Sequence, residues 1–233
     1  MNSPQHEMET RDDEKQRAAR AAVELVESGN VVGLGSGSTA TYVVRFLAER
    51  VRDGLKIVGI PTSLRTEQLA EQLGILLTTL DEYQQIDITL DGADEIDPQL
   101  NLIKGGGGAL LREKIIASAS RRFIIVADSS NQVEHLGKFP LPVEVIPFAQ
   151  TLISSRIAAL GAQVALRRYA YGNPFLTDEG HYILDCTFGE IADPAGLAAK
   201  LRAMPGVVEH GLFIGMAEMA VVARGGEVVR LRR

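Results

Sequence analysis

The sequence predicts an α/β protein with a mostly parallel sheet domain and a smaller, ferredoxin-like α/β lid domain. Two observations lead to this prediction. In the first half, short apolar strand candidates alternate with helix candidates, which is typical of parallel strands joined by right-handed crossovers. After Phe139-Pro-Leu-Pro142 the order becomes strand, helix, strand, strand, helix, strand, the split pattern of a ferredoxin-like module.

The first half opens with a helix over residues 12–28, which carries alanine and valine on one face and ends at Gly29. The elements that follow are, in chain order, a strand at 30–34, a helix at 38–52, a strand at 56–60, a helix at 63–73, an extended piece at 75–79, strands at 86–90 and 100–103, a helix at 109–120 and a strand at 122–127. In parallel sheets, ligands bind beyond the carboxyl ends of the strands. The loops that follow these strands are therefore candidates for one site.

The second half continues with a different order of elements, namely a strand at 143–146, a helix at 149–160, strands at 163–168 and 181–186, a helix at 194–203 and a strand at 207–213. Two short strands in the tail, at 219–222 and 227–231, are expected to rejoin the first sheet. These patterns predict a catalytic domain formed by residues 1–141 with 218–233, and a lid or oligomerisation domain at 142–217.

Composition excludes several classes of function. The 233-residue chain has a net charge of −6 and no block of basic residues, which disfavours nucleic acid and membrane surfaces as partners. No apolar run approaches the roughly 18 residues of a membrane span, and the polar N-terminus is neither a signal nor a transit peptide. The histidines are scattered, so no metal is expected. The lone Cys186 is expected to be a core thiol, and cytoplasm is the expected location.

The first chemical motif is Gly33-Leu-Gly-Ser-Gly-Ser-Thr39, which follows a strand and opens a helix. It lacks the Gly-Lys-Ser/Thr ending of a P-loop, and Ser38 occupies the third glycine position of a dinucleotide fingerprint. Glycines here let the backbone approach a ligand, and the N–H groups at a helix start bind anions. The motif predicts phosphate binding, and a tight structural turn is the alternative.

The second motif is Asp91-Gly-Ala-Asp-Glu-Ile-Asp97, directly after a strand. Four carboxylates within seven residues repel one another unless they are solvated, paired or partly protonated. A calcium loop does not fit, because no glutamate stands at the twelfth position. The motif is therefore a candidate for acid–base chemistry, and a solvated acidic loop or a metal loop is the alternative.

The third motif runs from Lys104 through four glycines to Glu113. It places backbone N–H groups, a cation and a carboxylate around one loop, as proton transfer on a small anionic substrate requires. The alternatives are a flexible glycine linker and a surface ion pair between Glu113 and a basic neighbour, Arg112 or Lys114.

Taken together, the motifs resemble ribose-5-phosphate isomerase, type A. The resemblance covers nearly the whole chain from Lys15 onward. The matching blocks are Gly35-Ser-Gly-Ser-Thr39, Asp91-Gly-Ala-Asp-Glu-Ile96, Lys104-Gly-Gly-Gly, Arg112-Glu-Lys-Ile-Ile-Ala117, Leu136-Gly-Lys-Phe-Pro-Leu-Pro-Val-Glu-Val-Ile-Pro147 and Pro205-Gly-Val-Val-Glu-His-Gly-Leu-Phe213. The family fold, a Rossmann-like domain with a small α/β lid, agrees with the element order above.

The resemblance implies a metal-independent and cofactor-free isomerisation of ribose 5-phosphate and ribulose 5-phosphate, usually in a homodimer or homotetramer. It implies that Glu113 is the base, Lys104 stabilises the oxyanion, and Asp91 handles the hydroxyl proton and ring opening. Asp94 would support Asp91. The implied substrate-binding residues are Lys15, Ser36, Gly37, Ser38, Thr39, Asp91, Gly92, Ala93, Asp94, Lys104, Gly105, Gly106, Gly107 and Asn131.

Two positions depart from the family pattern. Asn131 stands where many members have a lysine, so phosphate binding is expected to be weaker, or Lys15 to compensate, with Asn131 as a neutral donor. Ser36 stands where threonine is common and keeps the hydroxyl. Two other classes of protein share this general architecture. A sugar-phosphate sensor would need a DNA-binding head, and a CoA-transferase-like enzyme would need a CoA site, for neither of which the sequence carries a signal.

Overall fold

The computed structural model describes residues 4–233, with side chains described from Arg11 onward. The helices are α1 (Pro4–Val23), α2 (Ser38–Arg52), α3 (Leu64–Gln72), α4 (Leu110–Ser118), α5 (Gln150–Ala158) and α6 (Pro194–Arg202). The strands are β1 (Val31–Leu34), β2 (Val58–Pro61), β3 (Ile86–Asp91), β4 (Glu95–Ile96), β5 (Leu102–Ile103), β6 (Ser120–Asp128), β7 (Leu141–Val145), β8 (Gln163–Leu166), β9 (Tyr182–Thr187), β10 (Val207–His210), β11 (Leu212–Phe213), β12 (Met219–Arg224) and β13 (Glu227–Arg232).

The chain forms two compact units. The first contains the described residues up to Ala93, together with Arg112–Gln132 and Met216–Arg233. The second contains Asp94–Leu111 and Val133–Gly215. This division differs from the predicted boundaries, because residues 94–111 and 133–141 belong to the second unit and residues 216–217 to the first. The physical reason is strand pairing: β4 and β5 pair with each other, and β5 also pairs with β11.

The first unit is built on a sheet with strand order β13-β12-β6-β3-β1-β2. All neighbours in it are parallel except β13, which pairs antiparallel with β12 at the edge. The tail therefore rejoins the first sheet, as predicted. The chain passes from β1 outward to β2 and then returns to β3 on the other side of β1, so the topological switch point lies between β1 and β3.

Burial explains why these strands form the centre of the sheet. Every residue of β1 is buried, and β3 is buried from Ile88 to Asp91. Strands covered on both faces have continuous apolar sequences, and α1 and α2 pack on one face through buried alanine, valine and leucine side chains. The predicted α/β class with a mostly parallel sheet is confirmed.

Helix α1 ends five residues earlier than predicted. Its apolar face is correct, because Ala19, Ala22 and Val26 are all buried. After Val23 the chain tightens into turns, with hydrogen bonds from Leu25 N to Ala22 O and from Val26 N to Val23 O. Val26 therefore packs into the core from a turn, which helical periodicity alone cannot distinguish from one more helical turn.

The second unit contains an antiparallel sheet of order β10-β7-β9-β8, covered by α5 and α6. This is the predicted split β-α-β-β-α-β arrangement. The strand predicted at 207–213 is divided into β10 and β11, which belong to different sheets. Gly211 separates them, because its N–H donates to Pro142 O while its carbonyl accepts from Lys104 N. In the part of the chain that the structure describes, no helix is both long and apolar enough to cross a membrane.

Candidate active site

The loop between β1 and α2 presents an anion-binding helix start. Gly37 precedes Ser38, the first residue of α2, and has a φ of 96°, a conformation that favours glycine. Because glycine brings no capping side chain, the first-turn N–H groups of α2 remain available to a ligand. Lys15 of α1 donates from Nζ to Ser38 Oγ at 3.1 Å. The predicted phosphate loop and the predicted Lys15 cation thus lie together at one helix N-terminus.

Asp91 ends β3 beside this loop, at the switch point. Its Oδ1 accepts hydrogen bonds from Ser36 N at 3.0 Å and from Gly92 N at 2.7 Å. A Cβ at Gly35 would lie 2.3 Å from the same oxygen, so only glycine permits this close approach. Asp91 is fully buried. The loops after β1 and β3 therefore bring a buried carboxylate next to the helix start.

A cluster of hydroxyl groups fixes Ser36, and three of its members were absent from the predicted site. Ser36 Oγ lies 2.7 Å from both Thr62 Oγ1 and Ser63 Oγ, and 3.2 Å from Thr66 Oγ1. Thr66 Oγ1 in turn donates to Gly35 O at 3.0 Å. These residues follow β2, so the strand-end rule that found the other loops also points to them.

The four carboxylates of the acidic motif have separate partners. Asp94 Oδ2 accepts from Gly106 N at 2.8 Å. Glu95 is buried and accepts from Gly137 N and Phe139 N at 2.7 and 2.5 Å. Asp97 Oδ1 accepts at 2.8 Å from the backbone N–H groups of Gln99 and Asn101. Backbone donors offset the repulsion expected from this motif, so it is not a solvated acidic loop.

Lys104 and the glycines after it form a fixed loop rather than a linker. Lys104 is only 2% exposed, and its Nζ lies 5.5 Å from the ring centroid of Phe213. Gly105 and Gly108 have φ values of 104° and 85°, and Gly108 N donates to Gly105 O at 3.0 Å. The Lys104 side chain is therefore buried at the start of a closed turn and held in one place.

Arg167 is a further residue at this loop that sequence reasoning missed. Its Nη1 donates to Gly105 O at 2.8 Å and to Gly106 O at 3.1 Å. Its other nitrogens bind Asp185, with Nε to Oδ2 at 3.0 Å and Nη2 to Oδ1 at 2.5 Å. Arg167 lies about sixty positions from the glycines in sequence, so no local pattern connects it to them.

Glu113 lies in the first turn of α4 and is 4% exposed. A carboxylate in this position interacts favourably with the positive end of the helix dipole. Its neighbour Lys114 is also buried. Burial rules out the alternative of a solvent-exposed ion pair between these two residues. A buried carboxylate at a helix start is a suitable group for accepting and returning a proton.

Two carboxylates, Glu14 and Asp128, accept hydrogen bonds from loops of the first unit. Glu14 is buried and accepts from Ser129 N, Ser129 Oγ and Gly225 N at 3.1, 2.8 and 3.0 Å. Burial acts to raise the pKa of Glu14, but these hydrogen bonds and nearby Arg17 outweigh it and hold the pKa below its ordinary value. Asp128 caps a short 3₁₀ turn, in which Asn131 Oδ1 accepts from Asp128 N at 3.3 Å. The oxygen of Asn131 therefore serves the turn.

The predicted residues are divided between the units. Lys15, Ser36–Thr39, Asp91–Ala93, Glu113 and Asn131 belong to the first unit, and Asp94 and Lys104–Gly107 belong to the second. Within the described residues, no three His, Cys, Asp or Glu side chains form a group that could hold a metal ion. Cys186 is buried, which raises its pKa to about 12, and Asp185 adds to the shift, so this thiol is part of the core, as predicted.

Comparison with known proteins gives the family. The sequence profile of ribose 5-phosphate isomerase A (phosphoriboisomerase A) matches residues 58–227. The chain belongs to this family. Ribose-5-phosphate isomerase A of Synechococcus is 54% identical over 229 residues, covering 97% of this chain and 100% of that protein. The resemblance seen in the motifs is thereby confirmed.

Solved structures of the same family have the same fold. Ribose 5-phosphate isomerase A from Methanocaldococcus jannaschii superimposes with a TM-score of 0.91 at 41% identity, covering 95% of this chain and 99% of that one. A D-ribose-5-phosphate isomerase in complex with phospho-erythronic acid superimposes with a TM-score of 0.93 at 39% identity, covering 96% of this chain and 99% of that one.

Proposed function

We propose that this chain interconverts D-ribose 5-phosphate and D-ribulose 5-phosphate, as part of pentose phosphate metabolism, by proton transfer that needs neither a metal nor an organic cofactor. One observation in the first unit carries the proposal. The α2 helix start with Lys15 can hold a phosphate, and the buried carboxylate of Asp91 is hydrogen-bonded to the same loop through Ser36 N. An anion site next to a buried acid–base group is what a sugar phosphate isomerase requires.

In this proposal the phosphate binds the N–H groups at Gly37, Ser38 and Thr39, assisted by Lys15. Asn131 contributes a neutral hydrogen bond to the substrate in this proposal, while its oxygen accepts from the adjacent turn. Gly92 and Ala93 line the sugar. The hydroxyl cluster at Ser36 keeps this loop in one conformation, so that the helix start does not have to reorganise when the substrate arrives.

The chemical steps fall to three residues. Asp91 exchanges the hydroxyl proton during ring opening. Glu113 removes the proton from C2 of the open aldose and returns it to C1, so that the same carboxylate that accepts the proton donates it back. Lys104 stabilises the negative charge that develops on the oxygens of the enediolate. Gly105, Gly106 and Gly107 line the substrate, and Asp94 holds their loop through the Gly106 N–H.

The test is an assay of ketose formation from ribose 5-phosphate with EDTA present, using wild type and Glu113→Gln. We expect the wild type to be active in EDTA. We expect Glu113→Gln to lose at least about 10³-fold in kcat while it still binds substrate, because the amide cannot accept the proton. Glu67→Gln is the matched control, since it also removes a carboxylate from the first turn of a helix in the same unit. Near-normal turnover by Glu113→Gln would refute the role of the base, and a strict metal requirement would refute the mechanism.

We also propose that the protein is a homodimer or homotetramer located in the cytoplasm. Exposed apolar side chains in the second unit support self-association, among them Phe148, which is 99% exposed, and Leu152. Light scattering during gel filtration tests the assembly, and a monomer at micromolar concentration would contradict it. Fractionation of cells into soluble, periplasmic and membrane fractions tests the location.

A further inference from the structure

Arg167 bridges Asp185 and two carbonyls of the glycine loop. We infer that Arg167, held by Asp185, is a positioning residue that fixes the orientation of the peptide groups at Gly106 and Gly107 for the isomerisation. The inference rests on the proposed function, because it assigns catalytic value to the geometry of this loop. All of the residues involved belong to the second unit.

The peptide group between Gly105 and Gly106 is held on both sides. Its carbonyl, Gly105 O, accepts from Arg167 Nη1 at 2.8 Å, and its N–H, on Gly106, donates to Asp94 Oδ2 at 2.8 Å. One peptide plane is thus held at both ends by charged partners. Hydrogen bonds with an ionised partner are roughly twice as strong as neutral ones.

The next peptide group, between Gly106 and Gly107, is oriented by the same arginine. Its carbonyl accepts from the same Nη1 of Arg167 at 3.1 Å. In a trans peptide the N–H points opposite to the carbonyl, so this bond directs the Gly107 N–H away from Arg167. Gly107 is exposed, and no atom lies within 4 Å of the position that its Cβ would occupy. We expect this directed N–H, on an exposed residue, to be the donor that the loop offers to a ligand.

The glycine run needs such an external clamp to stay in one conformation. Glycine loses more conformational freedom on ordering than any other residue, and this run contains four in succession. The loop has no side chains of its own to hold it. An external clamp is needed to keep the N–H groups in one orientation before the substrate binds, and a cation on the carbonyl also polarises each peptide so that its N–H becomes a stronger donor.

Arg167 is itself held in one position by its neighbours. Its side chain is 14% exposed and forms a two-pronged pair with Asp185 on β9. Its guanidinium carbon lies 5.8 Å from the ring centroid of Phe175, and its carbonyl accepts from Phe175 N at 2.9 Å. A lysine cannot reproduce this arrangement, because a point charge does not form the planar fork.

The experiment compares Arg167→Met, Arg167→Lys and Asp185→Asn with wild type. We expect Arg167→Met to lose about 10–100-fold in kcat with KM changed by less than about 3-fold, since the loop N–H groups remain but are no longer oriented. Arg167→Lys should recover little of the loss, and Asp185→Asn should lose kcat in the same direction but less. Arg168→Met is the matched control, because Arg168 is adjacent and exposed, and its side chain donates from Nη1 to Gly172 O, away from the glycine loop carbonyls.

A second measurement reads the clamp without using activity. Hydrogen exchange of the peptide covering residues 104–110 should be faster in Arg167→Met than in wild type or Arg168→Met, with the remaining peptides of the second unit unchanged. Unchanged exchange, or wild-type kcat in folded Arg167→Met, would overturn the inference, as would full rescue by Arg167→Lys. A wild type that does not isomerise ribose 5-phosphate would refute the proposed function instead, and the exchange result would still decide whether the clamp exists.

Discussion

Replacement of Gly106 by alanine tests the contact between Asp94 and the glycine loop. An ideal Cβ at Gly106 would lie 2.6 Å from Asp94 Oδ1 and 3.1 Å from its Cγ and Oδ2. Such a Cβ contact must lengthen to at least about 3.0 Å, so the carboxylate has to move. The same carboxylate accepts the Gly106 N–H at 2.8 Å, and this movement breaks or bends that hydrogen bond.

The expected cost follows from two opposing contributions. Loss of a hydrogen bond to a charged acceptor destabilises a protein by about 1.5–3 kcal/mol. Replacing glycine with alanine reduces the entropy of the unfolded chain, which returns about 0.4–1 kcal/mol. The net loss in the free energy of unfolding is therefore about 0.5–2.6 kcal/mol. If the same bond orients the loop in the transition state, kcat falls by about 10-fold, since about 1.4 kcal/mol corresponds to one decade in rate.

Gly107→Ala is the control for stability, because nothing lies within 4 Å of its Cβ position. Urea unfolding followed by circular dichroism should place Gly107→Ala at or above wild type and Gly106→Ala below it. Steady-state kinetics should show a lower kcat for Gly106→Ala, whereas Gly107→Ala should mainly raise KM, because the proposed substrate site places its methyl group against the sugar phosphate. Equal stability of the two variants together with wild-type kcat in Gly106→Ala would refute the reasoning.

Two further predictions concern α1. The folded-state pKa of Glu14 lies below its ordinary value of 4.5, so its contribution to stability is present above about pH 4.5 and is lost as the pH falls through the lower folded pKa. Glu14→Gln should therefore destabilise the protein by about 1.5–3 kcal/mol at pH 7, as measured by urea titration. The difference in stability between the variant and wild type should shrink below about pH 4.5. Lys15→Met should raise KM for ribose 5-phosphate by about 5–50-fold with little change in kcat, because Lys15 lies at the start of α2, where the phosphate is proposed to bind. An unchanged KM would show that Lys15 does not bind the phosphate.

Much of the first unit could be predicted because its evidence is local. β1 and β3 are short apolar runs, and the functional loops begin where these runs end. Parallel neighbours bring their carboxyl ends to one edge of a sheet, so the strand order alone accounts for the contact between Ser36 and Asp91, 55 positions apart. The same rule applied to β2 would have added Thr62 and Ser63.

Other features carried no local signal. β4, β5 and β11 have only two residues each, which is too short for an alternation of period two to be seen in the sequence. Because these strands pair with one another, residues 94–111 belong to the second unit and not, as the sequence predicts, to the first. Nothing in the local sequence distinguishes Arg167 and Asp185 from other charged residues. Their role depends on which loop lies beside β8 and β9, and that follows from tertiary packing alone.

The acidic motif and the glycine-rich loops, taken separately, suggest charge repulsion and flexibility, yet in the structure the carboxylates of the one hold the backbone of the other. Asp91 approaches the chain only because Gly35 has no Cβ, and Asp94 does so only because Gly106 has none. In return, the carboxylates accept the N–H groups of Ser36 and Gly106 and so hold loops that glycine would otherwise leave mobile. Each glycine and its carboxylate therefore act as one unit. The effects of replacing both members should be clearly less than additive, because either change alone already removes the shared hydrogen bond.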